Sequence, residues 1–424
     1  MPLFTSSIEL SDDYPSIRPS LNLNFAGSRA LDPRITFTRA SVGTYVDGNG
    51  QFKTAGNDEA RFDHDPLTLE SLGLLIEESR TNLVNNSTNN SSWNVVASAV
   101  NETTYPIKGL ATTRVADSPS DGDSPYLGCS NFGTGSSISM CMSIYVDAVN
   151  STSDTITLFL FGSGYINHTW NISTGVPVPT ESFSINGSNY NSGSQEFIDC
   201  GGGIYRLILK ANYIGSVTTT ARFYLAPSGG ASDYCIVAGA QMEQGAFPTS
   251  YIPTSGTAAT RAQDTPLITG TNFTDFYNQS EGTLVLSADI GYLPVSNQSA
   301  VVFENTSSQS TDLIALGYRV GGGASGNLGG WYQGNGATAT FKDHSVGVTV
   351  NSEFRQAFAY KTDDLASVVN GTTPLTDNSG TLSTSIDRVR FGEYYADGMT
   401  SGHIRQFKYY PKRLTNAQLQ LLTS

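Results

Sequence analysis

The residues best suited to bind a ligand are aromatic side chains that stand beside glycine and asparagine. Sugar rings stack on exposed aromatic faces, and sugar hydroxyl groups bind amide and carboxylate groups. The last third of the chain holds two adjacent aromatic pairs of this kind. The candidate glycan-binding residues are Trp331, Tyr332, Asn335, Tyr394, Tyr395 and Asp397. The alternative is that alternate members of each pair pack into a β-sandwich, because neighbouring strand residues point to opposite faces.

Patterns that would carry catalysis are weak. The sequence has no Glu-x-Asp motif for a glycosidase carboxylate pair and no Gly-x-Ser-x-Gly motif for a nucleophilic serine. The adjacent acidic pairs Glu77-Glu78 and Asp363-Asp364 would point to opposite faces of a strand. We therefore expect a protein that binds rather than an enzyme.

Metal and cofactor motifs are also weak. The four histidines, His64, His168, His344 and His403, are scattered. Asp63-His64-Asp65 is more typical of a turn with capping side chains than of a cation site. Asp47-Gly48-Asn49-Gly50 lacks the closing Glu of a calcium loop. Residues 321–326 satisfy Gly-x-Gly-x-x-Gly, but no helix follows to bind a phosphate. We expect no metal and no cofactor.

Composition excludes several classes of protein. The 424 residues carry a net charge of -14, and only 14% of them are charged. Nucleic-acid binding needs clustered cations, which this acidic chain lacks. The sequence contains no apolar run of about 18 residues, the length needed to span a membrane. The first residues lack the basic start and the apolar core of a signal peptide. We therefore expect synthesis in the cytoplasm, no nucleic-acid partner and no membrane insertion.

The four cysteines all lie in the middle of the chain, and their spacing matches no zinc motif. They are Cys129, Cys141, Cys200 and Cys235. Two interpretations remain open: free thiols made in a reducing compartment, or disulfides across a β-sandwich.

Short alternating segments separated by turn residues run through the chain and predict an all-β protein. Examples are Ile138, Met140, Met142 and Ile144, which would share one face of a strand, and the turn at residues 47–50, which predicts a hairpin. A Pro/Ser/Gly/Thr stretch at residues 247–256 predicts a linker or an extended arm that could support strand addition between subunits.

One helix is signalled, at the end of the chain. Thr415 and Gln418 have the spacing of a capping box, and Leu414 and Leu419 that of a hydrophobic staple. The predicted fold is tandem β-sandwich or jelly-roll domains with a short N-terminal strand region and a short C-terminal helix. Three regions are predicted: an N-terminal β region at 1–83, a jelly roll at 84–255 and a second jelly roll at 256–424.

Several segments resemble known families. Residues 31–41 (LDPRITFTRAS), 61–66 (RFDHDP) and 72–83 (LGLLIEESRTNL) resemble segments of phage virion-surface proteins. The middle region, which ends in 239–243 (GAQME) and 249–256 (TSYIPTSG), is similar to the phage head-spike fibre domain. Residues 402–422 resemble the strand and short helix that end a laminin-G or concanavalin-A-like jelly roll.

The resemblance implies a virion fibre or spike, on the head or the tail, that attaches through residues 1–83 and displays a jelly roll to host-surface glycans. It implies a homotrimer at the virion surface, in contact with other capsid or tail proteins. Two alternatives remain: a capsid decoration protein without a ligand, and a polysaccharide depolymerase.

Overall fold

The computed structural model describes most of the chain. The described residues are 14–88, 99–116, 126–129, 138–161, 164–180, 183–187, 190–214, 222–228, 233–293, 298–307, 312–321, 324–334, 340–383, 385–394, 398–399 and 401–424. Within them the protein is all-β, which confirms the predicted fold class.

Twenty strands and one short helix precede residue 264 in the described part of the chain. In chain order they are β1 (Leu21–Leu23), α1 (Phe25–Ser28), β2 (Thr36–Thr38), β3 (Gly43–Val46), β4 (Phe52–Ala55), β5 (Phe62–His64), β6 (Ser71–Ile76), β7 (Arg80–Asn82), β8 (Ala99–Ile107), β9 (Leu110–Ala116), β10 (Tyr126–Gly128), β11 (Ile138–Asp147), β12 (Thr155–Phe161), β13 (Tyr165–Asn171), β14 (Val178–Pro179), β15 (Ser184–Asn186), β16 (Tyr190–Asp199), β17 (Ile204–Tyr213), β18 (Arg222–Ser228), β19 (Tyr234–Gln244) and β20 (Ala259–Arg261).

The remaining elements lie after residue 264. They are β21 (Thr265–Thr269), α2 (Thr271–Thr274), β22 (Glu281–Ala288), β23 (Gln298–Glu304), β24 (Leu313–Gly321), β25 (Ala324–Gln333), β26 (Thr340–Gly347), β27 (Phe354–Lys361), β28 (Leu365–Val369), β29 (Leu375–Asp377), β30 (Arg388–Phe391), β31 (Glu393–Tyr394), β32 (Gly398–Met399), β33 (Gly402–Tyr410) and α3 (Asn416–Thr423).

The chain forms two compact units, each built from separate stretches of sequence. Unit 1 comprises the described parts of Met1–Thr38, Leu72–Glu78 and Asp264–Ser424, and unit 2 comprises Arg39–Ser71 and Ser79–Gln263. This division differs from the three consecutive regions that the sequence predicts, because β1 and β6 pair with β33, and β2 pairs with β21. The N-terminal segment therefore supplies strands to unit 1 and a hairpin to unit 2. The attachment role of residues 1–83 stays a prediction.

Unit 1 is a sandwich of two sheets. Sheet A has the strand order β29-β28-β27-β22-β33-β6, with β1 also on β33. Sheet B has the order β2-β21-β30-β23-β24-β25-β26. Aromatic rings fill the space between the sheets: the Phe303 ring lies 5.6 Å from Tyr409 and 5.9 Å from Phe407, and Phe276 packs edge-on against Tyr409. The alternate residues of sheet B, which include Val302 and Glu304, point to its outer face.

Unit 2 is also a two-sheet sandwich, but its core is mainly aliphatic. Sheet C has the order β16-β17-β11-β19-β9-β8, and sheet D the order β10-β18-β12-β13-β14, with β15 on β13. The four alternating residues predicted to share a face, Ile138 to Ile144, all belong to this core, as does Trp170. That prediction is confirmed. The sequence also predicts core or subunit contacts for Trp93 and Trp170: Trp170 lies in the core, and Trp93 lies outside the described residues.

The outer face of sheet C carries a second apolar layer. Tyr145, Ile236 and Ala238 alternate with core residues and form a cluster with Phe52 of the β3–β4 hairpin. The hairpin has the predicted turn, since Asp47 Oδ1 accepts hydrogen bonds from the backbone N–H groups of Asn49 and Gln51. The N-terminal hairpin thus covers part of a sheet that lies far along the chain.

The stretch at residues 247–256 is an extended arm held inside unit 2. Gln241 Oε1 accepts a hydrogen bond from the Ile252 N–H at 2.6 Å, and Asn82 Nδ2 donates to the Ile252 carbonyl at 2.8 Å. Buried Glu243 accepts from the Thr249 backbone N–H at 2.9 Å and from its hydroxyl at 2.5 Å. These backbone groups of the arm are hydrogen-bonded within one chain. Deleting the arm would therefore damage folding, and so it would not be a clean test of whether the arm pairs subunits.

Two local predictions need correction. The sequence predicts a strand at 345–350, but β26 ends at Gly347, because the chain turns where Asn351 adopts a φ of 58° and Ser352 N–H donates to Thr349 O. The alternation of residues 21–25 predicts one strand, but β1 stops at Leu23, because Asn24 caps the short helix α1 by accepting from Gly27 N–H. The C-terminal helix has the predicted capping box between Thr415 and Gln418.

Candidate functional site

The structure places the predicted aromatic residues differently from an exposed glycan site. Trp331 and Tyr332 are only 3% and 4% exposed, so neither ring offers a face to solvent. Tyr332 donates its hydroxyl to the Thr381 carbonyl, and burial raises its pKa. Asn335, Tyr395 and Asp397 lie outside the described residues. Tyr394 lies in β31, but its side chain is not in the described part.

Trp331 belongs to the outer face of sheet B, where it packs with Val302, Leu313 and Ala315. Two cross-strand rows run over this face. One joins Thr269, Arg388, Glu304 and Leu313, and the other joins Leu267, Arg390, Val302, Ala315 and Trp331. Burial increases along both rows, from exposed Thr269 and half-exposed Leu267 to fully buried Leu313 and Ala315. The charged residues Arg388, Glu304 and Arg390 lie at the boundary between the exposed and the buried ends of these rows.

Two arginines and two glutamates form an ion-paired cluster at that boundary, called the Arg–Glu cluster below. Arg388 Nε and Arg390 Nε lie 2.8 Å and 2.7 Å from the same atom, Glu304 Oε1. Arg390 Nη1 lies 2.6 Å from Glu393 Oε2. The Glu304 side chain is 3% exposed, whereas those of Arg390 and Glu393 are 18% and 16% exposed. The Arg388 side chain is only 10% exposed, so the buried carboxylate fixes one buried arginine and one, Arg390, that reaches solvent.

The electrostatics keep this cluster charged and rigid. Burial alone would lower the pKa of Arg390, but attraction to Glu304 and the hydrogen bonds that Arg390 donates to both carboxylates outweigh it, so the pKa is raised. Each guanidinium has five N–H donors, and the ion pairs of the cluster use two of them on Arg388 and two on Arg390. The remaining donors of Arg390, held at fixed angles, suit the hydroxyl oxygens of a polar ligand.

The strands explain this placement. Arg388-Val389-Arg390-Phe391 alternates charged and apolar residues, so Val389 and Phe391 enter the core while both arginines point outward. Glu304 ends a strand of otherwise neutral residues and has Arg388 directly opposite it on β30. The alternating arginines were a visible signal in the sequence. Their glutamate partner, 84 residues away in the chain, was not.

The other candidate motifs have structural roles. Asp63 Oδ1 accepts from the Val46 N–H at 2.6 Å, and Asp65 Oδ1 accepts from the N–H groups of Leu67 and Thr68. His64 Nδ1 lies 3.1 Å from the Val46 carbonyl. The trio therefore fixes a turn, as the capping interpretation predicted. Across the described ranges, no three His, Cys, Asp or Glu residues are grouped as metal ligands.

All four cysteines are free and buried in unit 2. Burial raises the pKa of Cys200 to about 11 and that of Cys235 to about 12. The structure therefore has free thiols, not disulfides across the sandwich. No helix in the described part of the chain is long and apolar enough to span a membrane.

No family model and no curated protein matches the chain. Similar solved structures include the CBM40 of Ruminococcus gnavus IT-sialidase bound to α2,3 sialyllactose, with a TM-score of 0.29 and 17% identity, over 35% of this chain and 84% of that one. Domain 4 of AbnA, a GH43 extracellular arabinanase from Geobacillus stearothermophilus in complex with arabinotriose, has a TM-score of 0.30 and 12% identity, over 42% and 82%. Similarity this low supports no conclusion about the function of this chain.

Proposed function

We propose that the protein is a phage fibre or spike, on the head or the tail, that binds host-surface glycans through the Arg–Glu cluster of unit 1. The observation that carries the glycan part is the position of Arg390, which Glu304 and Glu393 hold at the solvent-accessible end of an otherwise buried sheet face. Sugars are recognised by fixed donors and acceptors, and rigid ones lose little entropy on binding. The phage part rests on the resemblance of residues 31–41, 61–66 and 72–83 to virion-surface proteins.

In this proposal the cluster binds and does not cleave. Glu304 and Glu393 both accept hydrogen bonds from arginines, so their role is to hold the guanidinium groups in place for a ligand. A single site of this kind binds weakly, and a homotrimer that displays three sites gains affinity from multivalency. The partners are then other virion proteins at one end and a glycan at the other, with the protein at the virion surface.

Glycan binding is tested with the full-length chain on an array of bacterial surface glycans. Arg390→Ala should weaken binding by roughly tenfold or more, since a hydrogen bond to a charged group contributes about 1.5–3 kcal/mol. Arg355→Ala is the matched control, because Arg355 also pairs with a glutamate, Glu353, but on the opposite sheet. Equal binding by both variants, or no binding by the unaltered chain, would contradict the proposal.

The virion assignment is tested separately. Imaging of whole particles should locate the chain at a capsid vertex or on the tail, and a mass measurement should give three copies per assembly. A chain found on the particle that binds no glycan would instead be a decoration protein. Release of reducing ends from a host polysaccharide would make it a depolymerase.

A further inference from the structure

The outer face of sheet D in unit 2 carries half-exposed aromatic side chains beside neutral polar ones. Strands β12 and β13 alternate strictly: Ile156, Leu158 and Leu160 point into the core, and so do Ile166 and Trp170. The residues between them point outward and are half-exposed. Outward positions on such a sheet are normally polar, but this sheet includes three half-exposed aromatic residues there, Tyr126, Phe159 and Tyr165.

The aromatic residues lie close together. Phe159 and Tyr165 pack edge to face, with ring centroids 5.8 Å apart. Tyr126 lies in the same cross-strand row as Phe159, two strands away, since both pair with residue 224 of β18. Two strand spacings separate their backbones by roughly 10 Å. The row is therefore long enough for an extended ligand that lies across the strands.

Neutral polar side chains complete the face. Asn167 is directly opposite Phe159, and Asn186 is directly opposite Tyr165. In the next row the hydroxyl oxygens of Thr157 and Thr169 are hydrogen-bonded at 2.7 Å. The side chains described at these positions offer rings, amides and hydroxyl groups, and none of them is charged.

We propose that this face is a second carbohydrate-binding surface, distinct from the Arg–Glu cluster, and that it binds an uncharged glycan chain. Rings flanked by amides and hydroxyls match the alternating apolar faces and hydroxyl edges of pyranose units. An interface with a second copy of this chain would need a continuous apolar centre. On sheet D, the amides of Asn167 and Asn186 lie directly opposite Phe159 and Tyr165, and the hydroxyl groups of Thr157 and Thr169 lie in the next row, which favours the glycan. The proposal stands on its own residues and does not depend on the glycan site of unit 1.

The experiment uses the full-length chain and a set of unbranched hexasaccharides, neutral (glucan, mannan and galactan) and acidic (polygalacturonate). At least one neutral chain should bind, and the acidic chain should bind more weakly. Phe159→Ala and Tyr165→Ala should each weaken binding of the neutral chain roughly tenfold, whereas Thr155→Ala, farther along the same strand, should not. Arg390→Ala should leave this binding unchanged, which separates this site from that of unit 1.

A second set of variants controls for the possibility that the alanine variants fail to fold. Tyr165→Phe keeps a ring and should retain binding, whereas Tyr165→Leu keeps an apolar side chain without a ring and should lose it. Equal binding by these two variants would overturn the proposal, and so would the absence of binding to every neutral hexasaccharide. A Phe159→Ala variant that dissociates an oligomer but binds glycan normally would show that a second copy covers the face.

Discussion

The two units of this protein place their charged side chains differently. In unit 1, Glu304 and its partner Arg388 are buried, but its second partner Arg390 reaches solvent, with 18% of its side chain exposed. In unit 2, the polar groups of Glu243, Gln241 and Arg261 are sealed beneath the arm at residues 247–256. Only the first arrangement leaves donors for a ligand. Partial exposure therefore separates a candidate binding cluster from a structural one, although both contain the same residue types.

The cores differ as well. Rings of phenylalanine and tyrosine meet between the sheets of unit 1, and hydroxyl groups of Tyr360 and Tyr409 are hydrogen-bonded there at 2.7 Å. The core of unit 2 relies on aliphatic side chains and methionine, with Trp170 as its largest side chain. Unit 2 also holds all four thiols, so thiol labelling reports the opening of unit 2 alone.

The largest effect should come from Glu243→Ala in unit 2. This change removes the acceptor of two buried donors, the Thr249 backbone N–H and the Thr249 hydroxyl, and one of the three acceptors around Gln241 Nε2. We expect the free energy of unfolding of unit 2 to fall by about 3–5 kcal/mol, because each buried donor left without a partner costs about 1–3 kcal/mol. Thiol labelling at pH 8 should accelerate accordingly.

The control is Glu353→Ala, which breaks a half-exposed ion pair in unit 1 and should leave the labelling rate unchanged. If the Glu243→Ala variant labels as slowly as the unaltered protein, the arm does not depend on this network.

Tyr409→Phe should destabilise unit 1 by a smaller amount. The Tyr409 hydroxyl accepts from the Asn278 N–H at 3.0 Å and pairs with the Tyr360 hydroxyl. Its loss should lower the free energy of unfolding by about 1–3 kcal/mol, measured by denaturant titration. Tyr14→Phe, at an exposed tyrosine of the same unit, should have no effect. A change in thiol labelling by Tyr409→Phe would mean that the units do not unfold independently.

The sequence was sufficient to predict the all-β class, the hairpin at residues 43–55 and the capped C-terminal helix. These features depend on local signals: alternation, turn dipeptides and the spacing of Thr415 and Gln418. The division into units was not predictable in this way, because β1, β2 and β6 pair with strands more than 200 residues away.

The candidate site was only partly visible in the sequence, for a related reason. The glycine and asparagine beside Trp331 and Tyr332 in the sequence favour exposed rings, but the burial of a ring depends on which strands cover it. The cross-strand partner of Arg388 could not be identified without the register of β23 and β30. Alternation of charged residues on a strand was the better guide to an outward face than the glycine content around an aromatic residue.

Removal of the helix cap should have a smaller effect on unit 1. The Thr415 hydroxyl accepts from the Gln418 N–H at 3.3 Å, and Gln418 Oε1 accepts from the Thr415 N–H at 3.0 Å. Thr415→Ala should cost about 1 kcal/mol, whereas Thr415→Ser should retain most of the stability. Denaturant titration distinguishes the two, and equal midpoints for Ala and Ser would show that packing of Leu419 alone holds the helix.

The smallest effect at neutral pH concerns His344, which joins sheet B to sheet A in unit 1. Its Nε2 and Nδ1 atoms lie 3.2 Å from the hydroxyl oxygens of Ser367 and Thr372. Burial lowers the pKa of His344, although the Ser367 backbone and Asp343 oppose this shift. The unfolded chain, with a histidine pKa of about 6.5, therefore takes up the proton first as the pH falls.

Unit 1 should thus keep its full stability above about pH 6.5 and lose part of it as the pH falls toward the lowered pKa of His344 in the folded state. His344→Gln retains hydrogen-bonding groups but does not titrate, so its melting temperature should fall less between pH 7 and pH 5 than that of the unaltered chain. The labelling of the thiols in unit 2 should be the same in both proteins at each pH. Parallel melting curves for the two proteins would assign the acid sensitivity of unit 1 to its carboxylates instead.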